Sequence, residues 1–205
     1  MIIQSHQTDH LHLLGGKASA LANLAATGAQ IPAWFAVTEL SDHAAIIEHS
    51  DSLGADCFAV RSSALAEDGA EHSFAGQYDS FLYVKRDDLL DKIAAVFLSD
   101  ASAHLDTYLG SKKINQQSNS VTAIVQKMIT PEVSGVAFSA DPVSGERNKT
   151  IISALLGTGS ALVSGDADAD TWTIENGIIQ DSIIAQKTHQ HIAGNETTEG
   201  IKRVP

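Results

Sequence analysis

The sequence predicts an α+β fold in two lobes, the second mostly antiparallel sheet, on three observations. In the first half, runs with helical apolar spacing alternate with short apolar segments of strand length. In the second half nearly every apolar run is of strand length, and two of them flank Asn176-Gly177, a pair that tolerates positive φ and favours a tight hairpin. Between the halves, residues 110–120 are polar and end the longest helical pattern. The chain has 205 residues, 43% of them hydrophobic, so it can bury a core without covalent staples. Its one cysteine, Cys57, excludes an intramolecular disulfide.

Gly15-Gly16 breaks the chain. Residues 17–27 then read as a helix with Leu21, Leu24 and Ala25 on one face, stopped by Gly28. Ile31-Pro32 leads into a buried strand over 34–37. Ser41 or Asp42 caps a helix that runs to residue 53 and ends at Gly54. Residues 57–60 form a short apolar strand that empties into a small-residue segment, 61–77, without periodicity. A strand over 78–84 follows. Asp87 or Asp88 caps the longest helix, to residue 109, with Leu89, Leu90, Ile93, Val96, Phe97 and Leu105 at helical spacing. Residues 121–129, 134–139, 150–156, 170–175 and 178–185 read as strands. The predicted organisation is an N-terminal lobe over 1–115, a second lobe over 116–187 and a loose polar tail over 188–205.

Thirteen basic residues against twenty-five acidic ones give a net charge of −12, which argues against a nucleic-acid binder that must neutralise many phosphates. A small anionic ligand is not excluded, because a few local cations and backbone amides can outweigh a distant net charge. There is neither a basic, apolar leader nor a run of 18 apolar residues, so no membrane association and a cytoplasmic location are expected. Asp166, Asp168 and Asp170 alternate as in a calcium loop, but Thr171 and Gly177 stand where that loop needs glycine and glutamate. Gly157-Thr158-Gly159 lacks the third glycine of a dinucleotide fingerprint. The pairs His10/His12 and His189/His191 lie in polar segments and read as solvated, and Cys57 reads as a buried structural thiol. No metal site is assigned.

Three segments carry chemistry. Gly15-Gly16-Lys17 fails as a P-loop, because Leu11 and Ala18 occupy positions that need glycine and a hydroxyl. It still supplies flexible backbone, free amides at a helix start and a cation, which together can hold phosphate oxygens. Arg61 leaves a buried strand with Ser62 and Ser63 beside it, a setting for a bidentate phosphate contact. Ser73-Phe74-Ala75-Gly76-Gln77 is small and flexible enough to fold its backbone over a polyphosphate. Residues 123–128 can wall a flat slot for a base, with Gln126 reading its edge, or form an ordinary strand with Gln126 outward.

Together these pieces resemble the N-terminal ATP-grasp nucleotide-binding domain of the phosphoenolpyruvate synthase and pyruvate phosphate dikinase family. The resemblance rests on Gly15-Gly16-Lys17-Ala18 with Ile31-Pro32-Ala33-Trp34-Phe35-Ala36-Val37-Thr38, and on Val60-Arg61-Ser62-Ser63-Ala64-Leu65-Ala66-Glu67-Asp68 with Ser73-Phe74-Ala75-Gly76-Gln77-Tyr78. Val125-Gln126-Lys127-Met128 and Ser134-Gly135-Val136-Ala137-Phe138-Ser139-Ala140-Asp141-Pro142-Val143-Ser144-Gly145 follow in the family's order. It runs from about residue 13 to 174.

The resemblance implies ATP clamped between two α+β lobes, with Lys17 and Arg61 as catalytic, phosphate-holding cations. Ser62, Ser73, Ala75, Gly76 and Gln77 would contact the nucleotide, Gln126 would lie by the adenine, and Mg²⁺ would bridge the phosphates. In such a phosphotransferase (a kinase of the pyruvate, water dikinase type) ATP phosphorylates a histidine on a separate domain, in cis or in trans, which passes the group to pyruvate. This chain departs from the pattern. Ser153 and Ser160 stand where the family often carries glutamates, Leu109 where an arginine is common, and only about twenty residues separate Thr38 from Val60. Within these 205 residues no counterpart is expected for the family's later acidic strand that supplies metal ligands, nor for its phosphohistidine and pyruvate-binding domains. The chain alone is therefore expected to be inactive. It is either the ATP-binding part of a longer enzyme or a degenerate, non-catalytic nucleotide-binding or regulatory module.

Overall fold

The computed structural model describes residues 1–5, 7, 10, 13–64, 80–110, 121–193 and 199–203. They divide into two units, Met1–Met128 and Ile129–Pro205. Both helices and antiparallel sheets are present, so the α+β expectation holds.

The first unit runs β1 (Ile2–Gln4), α1 (Gly16–Ala26), β2 (Trp34–Val37), α2 (His43–Ser52), β3 (Phe58–Ala64), β4 (Ser80–Val84), α3 (Leu89–Gly110) and β5 (Val121–Lys127). Its sheet has the order β1-β2-β5-β3-β4, with every neighbouring pair antiparallel. Asp42 caps α2 by accepting the Ala45 amide at 3.0 Å, and Gly54 takes φ +57° just beyond its end. Asp87 and Asp88 lie in a 3-10 turn, Arg86–Asp88, that feeds α3, where their charge suits the positive helix start.

Two apolar layers sandwich this sheet. On one face Ile46 of α2 and Leu89, Ile93 and Val96 of α3 pack with Phe35, Val37, Phe58, Val60, Ala64, Val121, Ala123 and Val125. On the other, Ala18 and Ala22 of α1 pack with Ile3, Leu14, Trp34, Ala36 and Ile124. The strand residues split between the layers by strict alternation, as the pleat requires.

The second unit is a meander of β6 (Val133–Phe138), β7 (Lys149–Leu156), β8 (Asp170–Glu175) and β9 (Ile178–Ile183), with the short α4 (Ser160–Ser164) after β7. The Asn176-Gly177 turn joins β8 to β9 with φ +51° and +77°, as the sequence predicted. The β6–β7 turn is built on Asp141, whose carboxylate accepts the Val143 amide at 2.8 Å and the Ser144 hydroxyl at 2.7 Å. Among the described residues no helix is long and apolar enough to cross a membrane.

Three sequence expectations need correction, and one strand stands where none was assigned. The strand expected at 57–60 continues to Ala64, so the first residues of the supposed aperiodic segment belong to β3. The boundary expected at residues 115–116 moves to Met128, because β5 is the middle strand of the first sheet and not the start of a second lobe. The polar N-terminus contains β1, which pairs with β2. The tail is not loose over 189–193 and 199–203: β10 (His189–Ala193) pairs with β11 (Glu199–Arg203). The ladder is made by backbone groups, so a polar sequence gave no apolar alternation to read. The hairpin is fastened where the Thr158 amide donates to the His191 carbonyl at 2.9 Å and Ser134 donates to the Gly157 carbonyl at 2.7 Å.

Gly157 sits at φ +83°, and a Cβ there would lie 1.9 Å from the His191 carbonyl oxygen. Gly157→Ala should cost at least about 2 kcal/mol in urea unfolding, because it adds a left-handed strain to a backbone clash. Asp170 accepts the Ala185 amide at 2.9 Å and pairs with the largely covered Lys187 ammonium. Lys187 holds the Asp170 carboxyl below the ordinary aspartate range, more strongly than burial raises it. The folded pKa is depressed, so this pair stabilises the fold above the unfolded value and loses its effect as pH falls through the folded one. Asp170→Asn should therefore be less stable than the wild type at pH 7, with the gap closing below about pH 4 in melting curves.

Candidate functional site

The period of two along β3 decides which side chains can meet. Phe58, Val60 and Ala64 enter the α2–α3 layer, so Ala59, Arg61 and Ser63 face α1. On β5, Val121, Ala123 and Val125 enter the same layer as Val60, so Thr122, Ile124 and Gln126 also face α1. The register pairs Ala59 with Gln126, Arg61 with Ile124 and Ser63 with Thr122. Arg61 and Gln126 are thus diagonal neighbours on one face, a separation of about 7 Å.

Helix α1 is seated on that face at its first turn. Ser63 Oγ accepts the Ala18 amide at 3.0 Å, in full burial, which satisfies one of the helix-start donors. Gly15, the residue before the helix, lies flat on β3: a Cβ would come 2.3 Å from the Ser63 carbonyl carbon. Thr122 Oγ1 donates to the Leu13 carbonyl at 3.0 Å. Lys17 is therefore carried on a turn bonded to the strand that bears Arg61.

Arg61 is half-buried and, among the described residues, has no carboxylate partner. Other cations are engaged locally. Arg86 grips Asp51, Lys92 lies over the Phe81 ring at 4.9 Å, Lys127 donates to the Gly54 carbonyl at 3.0 Å and Lys149 pairs with Glu146 at 2.7 Å. A half-buried guanidinium on the sheet face that carries a helix start can favour an anion locally, even on a chain of net charge −12.

The predicted site residues divide. Arg61 and Gln126 share one face, and Lys17 sits in the first turn of α1, which is bonded to that face through Ala18. Gln126 is 8% exposed and its amide donates to the Pro32 carbonyl at 3.2 Å, so its side chain also holds the segment leading into β2. Ser62 does not join them. It points into the α2–α3 layer, is wholly buried, and its hydroxyl has no partner among the described residues. Ser73, Ala75, Gly76 and Gln77 lie outside the described residues. The ends of their segment, Ala64 and Ser80, belong to the paired strands β3 and β4, and Ser80 stands opposite Arg61. Sequence reasoning named Gly15 and Ser63 as flexible backbone and as a hydroxyl beside Arg61, not as the seat of α1, and it did not single out Thr122. Carrying the alternation on from Phe58 past Val60 would have separated Ser62 from Ser63.

The described residues form no multi-carboxylate cage for a divalent cation. No group of three His, Cys, Asp or Glu side chains lies close enough to hold one. Ser153 exchanges a hydroxyl bond with Thr171 at 3.2 Å, and Ser160 lies 3.4 Å from the Thr158 hydroxyl. These are neutral groups where Mg²⁺ prefers carboxylate oxygen. Cys57 is half-buried, and burial, then Asp56, pushes its thiol up, away from the thiolate form.

A family model described as the pyruvate phosphate dikinase AMP/ATP-binding domain matches residues 19–205. The chain is 40% identical over 149 residues, 71% of its length, to a probable phosphoenolpyruvate synthase of Pyrococcus horikoshii. It is 40% identical over 145 residues to the phosphoenolpyruvate synthase of Pyrococcus furiosus, and 37% identical over 145 residues to a rifampicin phosphotransferase of a Streptomyces species; each match covers 69% of this chain. The matches cover 18% of each Pyrococcus protein and 17% of the Streptomyces one.

An unpaired buried hydroxyl costs stability, so Ser62→Ala should leave the urea midpoint unchanged or raise stability by about 1 kcal/mol. A loss of more than about 1 kcal/mol would mean that the hydroxyl is bonded.

Proposed function

Because this chain belongs to the pyruvate phosphate dikinase AMP/ATP-binding domain family, we propose that it binds ATP with the triphosphate against the α1 face of the first sheet. Lys17 and Arg61 neutralise the phosphate charge, Gln126 lies on the side of the base, and Ser73, Ala75, Gly76 and Gln77 close over the phosphates. The fold is then an ATP-grasp arrangement, and the protein acts in the cytoplasm. The observation that carries this is the Ser63–Ala18 bond, which seats the lysine-bearing turn of α1 on the strand face where half-buried Arg61 lacks a carboxylate partner among the described residues.

The chain spans about a fifth of the length of the phosphoenolpyruvate synthases it matches. In the whole protein, we propose, ATP phosphorylates a histidine on a separate domain, in cis or in trans, which hands the group to pyruvate. Lys17 and Arg61 would serve that step by holding the phosphates in line and balancing the charge that spreads over the transferring group. The described residues form no group of three or more His, Cys, Asp or Glu that could hold a metal ion, and in this reading further Mg²⁺ ligands come from the rest of the protein. That same observation favours a second reading, a degenerate module that binds nucleotide without turnover, since Ser153 and Ser160 bond to neighbouring hydroxyls.

Calorimetric titration of the full chain with ATP, with and without Mg²⁺, tests the proposal. Binding is expected, and Lys17→Ala and Arg61→Ala should each weaken it at least about tenfold, as loss of a charge-assisted contact does. Absence of heat at millimolar ATP would overturn it.

A further inference from the structure

We propose that Ser63 and Thr122 are positioning residues, a two-hydroxyl clasp that sets Lys17 against Arg61 and so tunes the grip on a polyphosphate. This rests on the nucleotide reading above and assigns work to side chains outside its set of contacting residues. The two stand directly opposite each other across the β3–β5 ladder, both on the α1 face, at 0% and 1% exposure.

They hold the two ends of one junction. Thr122 Oγ1 donates to the Leu13 carbonyl at 3.0 Å, and Ser63 Oγ accepts the Ala18 amide at 3.0 Å. Between those anchors Gly15 lies so close to β3 that a Cβ would fall 2.4 Å from the Ser63 carbonyl oxygen. The six residues 13–18 are thus pressed to the sheet at both ends and in the middle. Buried hydrogen bonds of this kind are directional, and their loss leaves the partner amide or carbonyl unsatisfied.

Lys17 is the residue next to one anchor, and Arg61 is two residues from Ser63 on the same face. Their separation is therefore set by the clasp and not by the two flexible side chains alone. Ser63 also takes up the Ala18 amide, so the helix start offers a ligand its side-chain cation more than that backbone donor. A ligand recognised through such a pair carries several phosphate oxygens. The part of a nucleotide without phosphate gains nothing from it.

The test titrates the full chain with ATP, inorganic tripolyphosphate and adenosine, alongside melting curves. Ser63→Ala and Thr122→Val should weaken ATP and tripolyphosphate about tenfold and leave adenosine unchanged, while Thr122→Ser, which keeps the hydroxyl, restores wild-type affinity. A merely structural role would lower the melting temperature without this phosphate-selective loss. Equal ATP affinity in wild type, Ser63→Ala and Thr122→Val overturns the clasp and leaves the nucleotide reading standing, as does an equal loss for ATP and adenosine. A wild-type chain that takes up neither ATP nor tripolyphosphate overturns both. Should Ser63→Ala fail to fold, the Thr122→Val and Thr122→Ser pair decides the matter alone.

Discussion

The register of β3 is the constraint on which the first unit depends. Seven residues run between β4 and β5, and Phe58, Val60 and Ala64 fill the α2–α3 layer. A slip of one residue would exchange the faces and drive the Arg61 guanidinium into a layer of Ile93 and Val96. An unpaired charge buried there costs many times what any local contact returns. Core packing therefore places Arg61, Ser63, Thr122 and Gln126 on one surface before any ligand is considered. The same pleat turns Ser62 inward, although it neighbours both Arg61 and Ser63 in sequence.

Two opposite demands meet on that surface. A helix start needs its amides satisfied, and an anion site needs donors left free. Ser63 settles the Ala18 amide from within the protein, so the turn is held whether or not ligand is present. At Ala18, what that bond leaves for an anion is nearby charge in place of an amide. Arg61 remains half-exposed to water, which keeps its lack of a carboxylate partner among the described residues tolerable. Net charge sharpens the point. At −12 the chain as a whole repels phosphate, so affinity has to come from cations at short range, where screening matters least.

Much of this was legible in the sequence, and the failures share a cause. The helices read correctly because Leu89, Ile93 and Val96 repeat at helical spacing and Asp42 offers a cap. The Asn176-Gly177 hairpin read correctly because its turn chemistry is local. Lys17 and Arg61 stood out as cations beside small residues. The β10–β11 hairpin was invisible, since its order comes from backbone ladders and from contacts around Gly157, more than thirty residues from His191. The role of Ser63 was hidden for the same reason: its partner is forty-five residues earlier. A period read from neighbours finds faces, but it cannot find which distant amide a hydroxyl will meet. The segment with Ser73, Ala75, Gly76 and Gln77 lies outside the described residues, so the sequence remains its sole account.

Holding a nucleotide and turning it over ask for different side chains. Holding needs positive charge at the phosphates, the part proposed above for Lys17 and Arg61. Transfer also needs the charge on the moving group balanced, commonly by a cation that carboxylates keep in place. Here the second unit has hydroxyls that answer one another, Ser153 with Thr171 across the β7–β8 ladder and Ser160, at the start of α4, beside Thr158. Carboxylates at those positions on so acidic a chain would repel unless a cation sat between them. Serines remove that repulsion, and at Ser153 the β7–β8 ladder pairs with no charge between its strands. The substitution is thus self-consistent as folding chemistry. Its consequence for function is that any phosphoryl transfer served by Lys17 and Arg61 must draw its counter-charge from residues other than these two.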